Sequence, residues 1–264
     1  MDDLELAREL ADIAAAIALR YFATHPETSI KQDGTLVTIA DREIEQSLRD
    51  RLSATRPHHA VLGEEEGLIG NPKAPVWIID PIDGTNNFAA GVPIFATLIA
   101  LRVEGRTEIG VASAPALGER YEAARGGGAS MNGKEIRVSD VASLDQATVC
   151  FGSNKRMIKM GYASQLSEIL TRCRRDRGFG DFWGHMLVAR GAVEMMAEPS
   201  LAIWDVAALE VIVEEAGGKM TGFTGNPYPE SRLLTKDGEP SCLSTNGLLH
   251  DEMIRMLKQP SIDS

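Results

Sequence analysis

The sequence predicts an α+β fold of stacked helix and sheet layers, and three observations point there. Segments with apolar residues at helical spacing alternate with short, wholly apolar runs of strand length. The alternation lacks the regular βαβ rhythm of a doubly wound sheet. The 264 residues, 44% hydrophobic and 25% charged, suffice for one large domain with a sizeable core. The expectation is a single domain over residues 1–264, whose two lobes share one site and meet near residues 145–150.

Residues 4–22 place Leu6, Leu10, Ile13 and Ile17 on one face of a helix. A polar loop follows, Lys31-Gln32-Asp33-Gly34-Thr35. Thr38 and Asp41 form a capping-box pattern opening a second helix that carries Ile44, Leu48 and Leu52. Val61-Leu62 leads into the acidic run Glu64-Glu65-Glu66-Gly67. Val76-Trp77-Ile78-Ile79 reads as a buried strand because polar residues never interrupt it. It is expected to stop at Asp80-Pro81, since proline cannot donate to a ladder. Strands are expected at residues 94–103, 109–114 and 121–124, and Asn132-Gly133 is a hairpin signal. Residues 149–151 read as a strand, and 165–174 and 181–190 as helices, the second closed by Gly191. A strand is expected at 192–197. A helix at 204–216 is stopped by Gly217-Gly218, a strand follows at 242–245, and a last helix at 248–257. There is no repeat, low-complexity tract or long linker.

Composition removes several functions. Against 27 Lys and Arg stand 38 Asp and Glu, a net charge of −11, which disfavours nucleic acid and anionic membranes as partners. Cys150, Cys173 and Cys242 are odd in number and widely spaced, so no disulfide framework is expected. The acidic start is unlike a signal peptide, and a cytoplasmic location is expected. The five histidines show no zinc spacing, so any metal would be held by oxygen.

Two carboxylates, Asp80 and Asp83, follow directly on the buried strand. At about 4 Å and an effective dielectric near 20, their repulsion costs roughly 4 kcal/mol. A cation between them relieves it, and hard oxygens on a tight turn suit Mg²⁺. An ordinary Asp-Gly turn is the plain alternative. Glu64 to Glu66 read alone are a solvated loop, and Asp205 alone is a helix-start acid. Together with Asp80 and Asp83 they read better as one shared site.

Gly63-Glu64-Glu65, Asp80-Pro81-Ile82-Asp83-Gly84-Thr85, and Trp204-Asp205 with Gly217-Gly218 resemble the inositol monophosphatase family. The resemblance covers almost the whole chain. It implies a layered α-β-α-β-α sandwich, usually a homodimer, and a Mg²⁺-dependent phosphomonoesterase that uses a metal-activated water. It assigns Glu64, Asp80 and the Ile82 carbonyl to one ion, and Asp80, Asp83 and Asp205 to a second. Glu65 sits in the outer shell, and a third ion near Glu64 completes a set of two to three. Mn²⁺ is implied as a substitute and Li⁺ as an inhibitor. Thr85 and Asp41 match the pair that takes a proton from the water. The Gly84 and Thr85 amides match the phosphate grip, and Lys31 a lysine on a loop over the site.

The leaving group is set elsewhere. The resemblance gives Glu198 substrate hydroxyls to bind, with Asp83, Asp181 and Asp205 also facing substrate. Asp181 and Glu198 together favour a leaving group bearing a cation. Residues 110–117, Ala197-Glu198-Pro199 and residues 245–251 resemble the family's bacterial histidinol-phosphatase branch, which implies L-histidinol phosphate as substrate and a place in histidine biosynthesis. Asn86 departs from that branch, which usually has Lys there. The alternatives are inositol-1-phosphate or another sugar or cyclitol monophosphate, and a regulatory binding protein on the same scaffold. Gly126-Gly127-Gly128 lacks the lysine of a phosphate loop and is expected to belong to a hairpin. His185, within an apolar helical pattern, is expected to be a core or surface residue rather than a ligand.

Overall fold

Leu6, Leu10, Ala14 and Ala18 recur at helical spacing and are all buried on α1 (Asp3–Phe22), the first element of the computed structural model. The structure describes residues 1–22, 28–30, 36–226 and 239–257. The expected loop lysine, Lys31, lies outside them. A short antiparallel pair, β1 (Thr28–Ile30) and β2 (Leu36–Thr38), precedes α2 (Ile39–Thr55). Thr38 caps α2 through the expected box: its hydroxyl accepts from Ala40 N, and Asp41 accepts from Thr38 N.

The large sheet contains β3 (Ala60–Gly63), β4 (Gly67–Ile69), β5 (Val76–Asp83), β6 (Ala96–Val103), β7 (Arg106–Ala114), β8 (Glu119–Ala124), β9 (Ala129–Met131) and β10 (Lys134–Ile136). Its order is β10-β9-β8-β7-β6-β5-β3-β4, with β5 parallel to β3 and antiparallel to β6. A one-turn helix, α3 (Thr85–Ala89), follows β5. The smaller sheet, of order β12-β11-β13-β15-β14, is assembled from β11 (Thr148–Phe151), β12 (Arg175–Arg177), β13 (Met195–Leu201), β14 (Lys219–Thr221) and β15 (Glu239–Thr245). Between its strands run α4 (Asn154–Lys159), α5 (Ala163–Arg172), α6 (Asp181–Ala189) and α7 (Ile203–Glu215), and α8 (His250–Leu257) closes the chain.

Side-chain alternation sorts these elements into five layers. Trp77 and Ile79 on β5 pack with α1 and α2 on one face of the large sheet. Ile78 turns to the other face, against α6 and α7. On β13, Met196 faces inward and Met195 and Ala197 face α5 and α8. The order is helices, large sheet, α6 and α7, small sheet, helices, the predicted α-β-α-β-α sandwich. Two residues then follow by parity. Asp80 on β5 and Glu198 on β13 fall on the inner faces, so opposite sheets turn acids toward the same helical layer.

Three expectations are corrected. The β5 strand does not stop at Asp80-Pro81 but runs to Asp83, with a register shift against β6 between Asp80 and Asp83. The irregularity absorbs Pro81, which needs to donate nothing there. The Pro81 carbonyl accepts from Thr97 Oγ1 at 2.8 Å. The strand expected at 192–197 starts at Met195, because Ala192 and Val193 spend their N–H groups on Leu187 O in the turn that closes α6. The helix expected at 165–174 ends at Arg172. The Asn132-Gly133 hairpin forms as expected, both residues left-handed. The preceding glycine turn donates Gly126 N and Gly128 N to the Glu215 carboxylate at 3.0 Å each, so those amides serve the chain's own acid. The three cysteines are free. Among the described residues no helix is long and apolar enough to cross a membrane.

Candidate active site

The end of β5 and the first turns of α6 and α7 meet at one point. Carboxylate oxygens of Asp80, Asp83 and Asp205 lie within 4.8 Å of one another. Asp205 is the third residue of α7, and its Oδ2 accepts from Ala202 N at 2.7 Å. Its plain role as a helix-start acid is therefore real, and it leaves Oδ1 for the cluster. Asp83 Oδ2 accepts from Phe182 N at 2.7 Å, so the same acid anchors the start of α6. Asp80 is buried, and its Oδ1 has no hydrogen-bond partner.

The turn after β3 lies alongside. Glu64 N donates to Ile79 O at 3.2 Å, which docks the turn on β5 just before Asp80. Burial, and then the charges of Glu64, Asp83, Asp205 and Asp41, hold the Asp80 carboxyl well above its ordinary range. Burial and Glu64 push Asp205 up to about 7. Asp41, on α2, is pushed up to about 7 mainly by burial, against the lowering effect of Thr38. Its Oδ2 accepts from Thr38 N and Oγ1 at 2.8 and 2.6 Å, and its Oδ1 is buried without a partner. Thr85 Oγ1 donates to the Ile82 carbonyl at 3.0 Å rather than to Asp41. That carbonyl keeps a second lone pair. The Gly84 and Thr85 amides stand at the start of α3, where a helix offers amides no internal acceptor.

These residues fit a divalent metal. The donors are hard oxygens, they repel one another, and the Asp80 and Asp41 oxygens named above are desolvated without compensation. Asp80, Asp83 and Asp205 converge closely enough to hold it, and Glu64 lies near enough for its charge to act on Asp80 and Asp205.

One acid that the sequence reading passed over supports this arrangement from behind. Glu45 is buried on α2 and ion-paired to Arg49. Its carboxylate accepts from Glu65 N at 2.8 Å and Glu66 N at 2.9 Å.

A cleft of about 420 Å³ opens next to Asp83. Asp181 and Glu198, expected to face substrate, both line it, with Asn86, Gly152, Arg156 and Trp183. Asp181 adopts a left-handed φ of 55° at the start of α6, and its Oδ2 accepts from Asn87 Nδ2 at 3.2 Å. Glu198 is buried, and its Oε2 has no partner. Burial, then Asp181 and Asp205, push Glu198 up to about 8, while the Arg156 charge acts the other way on both cleft acids. Arg156 was not foreseen. It sits on a six-residue helix between Lys155 and Lys159, and nothing local singles out which of the three reaches the cleft. Of the two places expected for His185 the structure gives the core: it is buried, shares a 2.7 Å hydrogen bond with Ser244 Oγ, and burial lowers its pKa to about 3.

A sequence model of the inositol monophosphatase family matches residues 2–259. A histidinol-phosphatase of Mycobacterium tuberculosis is 42% identical over 262 residues, covering 97% of this chain and 98% of its own length. A histidinol-phosphatase of Streptomyces coelicolor is 40% identical, with 98% of both chains covered. Among solved structures, the Thermotoga maritima IMPase superimposes with a TM-score of 0.86 at 31% identity, covering 97% of each chain.

Proposed function

The chain belongs to the inositol monophosphatase family and is a phosphatase, and from that premise we propose that it hydrolyses L-histidinol phosphate with Mg²⁺. The observation that carries the substrate is the cleft beside Asp83. Among its described lining residues stand two acids, Asp181 and Glu198, and one base, Arg156. Burial raises the pKa of both acids, and a leaving group bearing an ammonium would favour their ionised forms; the amino group of histidinol supplies that charge and inositol does not. The two histidinol-phosphatases that align over nearly the whole chain support the same choice.

Glu64, Asp80 and Ile82 O would hold one ion, and Asp80, Asp83 and Asp205 a second, with Glu65 outside them and room for a third near Glu64. Bound Mg²⁺ supplies charge neutralisation at the phosphate and lowers the pKa of a water. The Thr85 hydroxyl would accept the proton of the attacking water and pass its own to Asp41 Oδ1, which requires that proton to turn away from the Ile82 carbonyl it now faces. The Gly84 and Thr85 amides bind phosphate oxygens, as unsatisfied turn amides do. Asp181 and Glu198 accept hydrogen bonds from the leaving alcohol and its ammonium. The reading includes a cytoplasmic homodimer acting on a small phosphate monoester, without nucleic-acid or membrane partners.

Asp181→Asn tests the cleft. Loss of one charge-assisted hydrogen bond is worth about 1.5–3 kcal/mol, or roughly 10- to 100-fold in kcat/KM. The loss is expected as a raised KM for histidinol phosphate, with inositol monophosphate turnover much less affected. Equal effects on both esters would refute recognition of the ammonium by Asp181.

A further inference from the structure

We propose that Glu45 is a positioning residue for metal binding, fixing the Glu64-Glu65 turn against the helix that carries Asp41. The proposal rests on the reading of Glu64 as a metal ligand.

The turn between β3 and β4 carries three consecutive acids, Glu64, Glu65 and Glu66, whose charges repel. Glu45 meets this turn from α2, one helical turn beyond Asp41. Its Oε2 accepts from Glu65 N at 2.8 Å. Its Oε1 accepts from Glu66 N at 2.9 Å and from Arg49 Nε and Nη2 at 3.0 and 2.8 Å. Arg49 extends the clamp to both flanking strands, donating to Val61 O at 3.2 Å and Gly67 O at 2.6 Å. The start, middle and end of the hairpin are thus all tied to one helix.

The close packing of this contact requires glycine at 63. A Cβ there would lie 2.3 Å from the Glu45 carboxyl carbon. Glu45 and Arg49 are both buried, and a buried ion pair contributes little net stability against apolar replacements. What the pair does supply is a fixed backbone position for Glu64 and Glu65, through bonds only a carboxylate with two accepting oxygens can make. A glutamine in its place keeps one acceptor toward Arg49 and Glu66 N, and turns a donor toward Glu65 N.

The test is calorimetric titration of the chelator-treated full chain with Mg²⁺. Glu45→Gln is expected to weaken Mg²⁺ binding about 10- to 100-fold, the range for groups that orient metal ligands. The Mg²⁺ concentration giving half-maximal phosphate release should rise in parallel, with kcat restored at saturating Mg²⁺. Arg49→Lys, which keeps the charge but loses the fork, should shift Mg²⁺ affinity in the same direction if Glu45→Gln does not fold. Leu10→Ala, a cavity in the core between α1 and the sheet, should lower the melting temperature without changing Mg²⁺ affinity. Unchanged Mg²⁺ affinity in the folded Glu45 or Arg49 variant, or an equal loss in Leu10→Ala, would overturn the proposal. A wild-type chain that binds no Mg²⁺ would overturn the metal reading itself.

Discussion

Asp80→Asn is expected to lower kcat/KM for phosphate-ester hydrolysis by at least about 10²-fold, the scale for removing a group that sets the charge at a reacting centre. The same substitution should raise the melting temperature of the metal-free protein at neutral pH. The sign follows from the carboxyls. Asp41 and Asp205 stand at about 7 in the folded chain, and Asp80 is also raised well above 3.8. Asp41 and Asp205 therefore bind more protons folded than unfolded between about pH 4 and pH 7, and Asp80 shifts in the same direction. Stability from this source is fully present below about pH 4 and is lost as pH rises through the folded values. Asn at position 80 removes one of the repelling charges and relieves part of that loss. Thermal melts of both proteins in chelator at pH 5 and pH 8 measure it, and the gain should be larger at pH 8. Equal melting temperatures at both pH values would show that the acids do not repel as placed.

Gly152→Ala is expected to strike the cleft and spare the metal site. A Cβ at 152 would lie 2.2 Å from Glu198 Oε1 and 2.4 Å from its carboxyl carbon. Gly180 packs from the other side, its own Cβ position 3.1 Å from Gly152 Cα. The Glu198 carboxylate therefore has to move for any side chain at 152. A displacement of about 1 Å in a positioning group can cost about 10²-fold. The expected result is a kcat/KM for histidinol phosphate lowered on that scale, with Mg²⁺ affinity by calorimetry unchanged. Wild-type kinetics in this variant would mean that Glu198 does not hold the leaving group.

The layers were legible because helical and strand periodicities are local. Leu6, Leu10, Ile44 and Leu48 announce their helices, and the unbroken Val76-Ile79 run announces a strand buried on both faces. Pro81 misled because the missing donor was weighed without the irregularity in the pairing that accommodates it. The acids that gather at the site were legible as types at the ends of elements, and Asp80, Asp83 and Asp205 do converge. Glu45 and Arg49 were not. The pair is spaced like any solvated i, i+4 couple, and its real partners, the Glu65 and Glu66 amides, lie 20 and 21 residues away. Arg156 was hidden for a related reason: the cleft it lines joins residues far apart in sequence, from α3, α4, α6 and β13.

The proposed function is that of a metal-dependent phosphatase whose cleft selects a cationic leaving group. Its most direct test is Mg²⁺-dependent phosphate release, with kcat/KM compared for histidinol phosphate, inositol monophosphate, adenosine bisphosphate and fructose bisphosphate. The predicted result is a strong preference for histidinol phosphate that chelation abolishes. A preference for inositol monophosphate, or turnover that survives chelation, would contradict it.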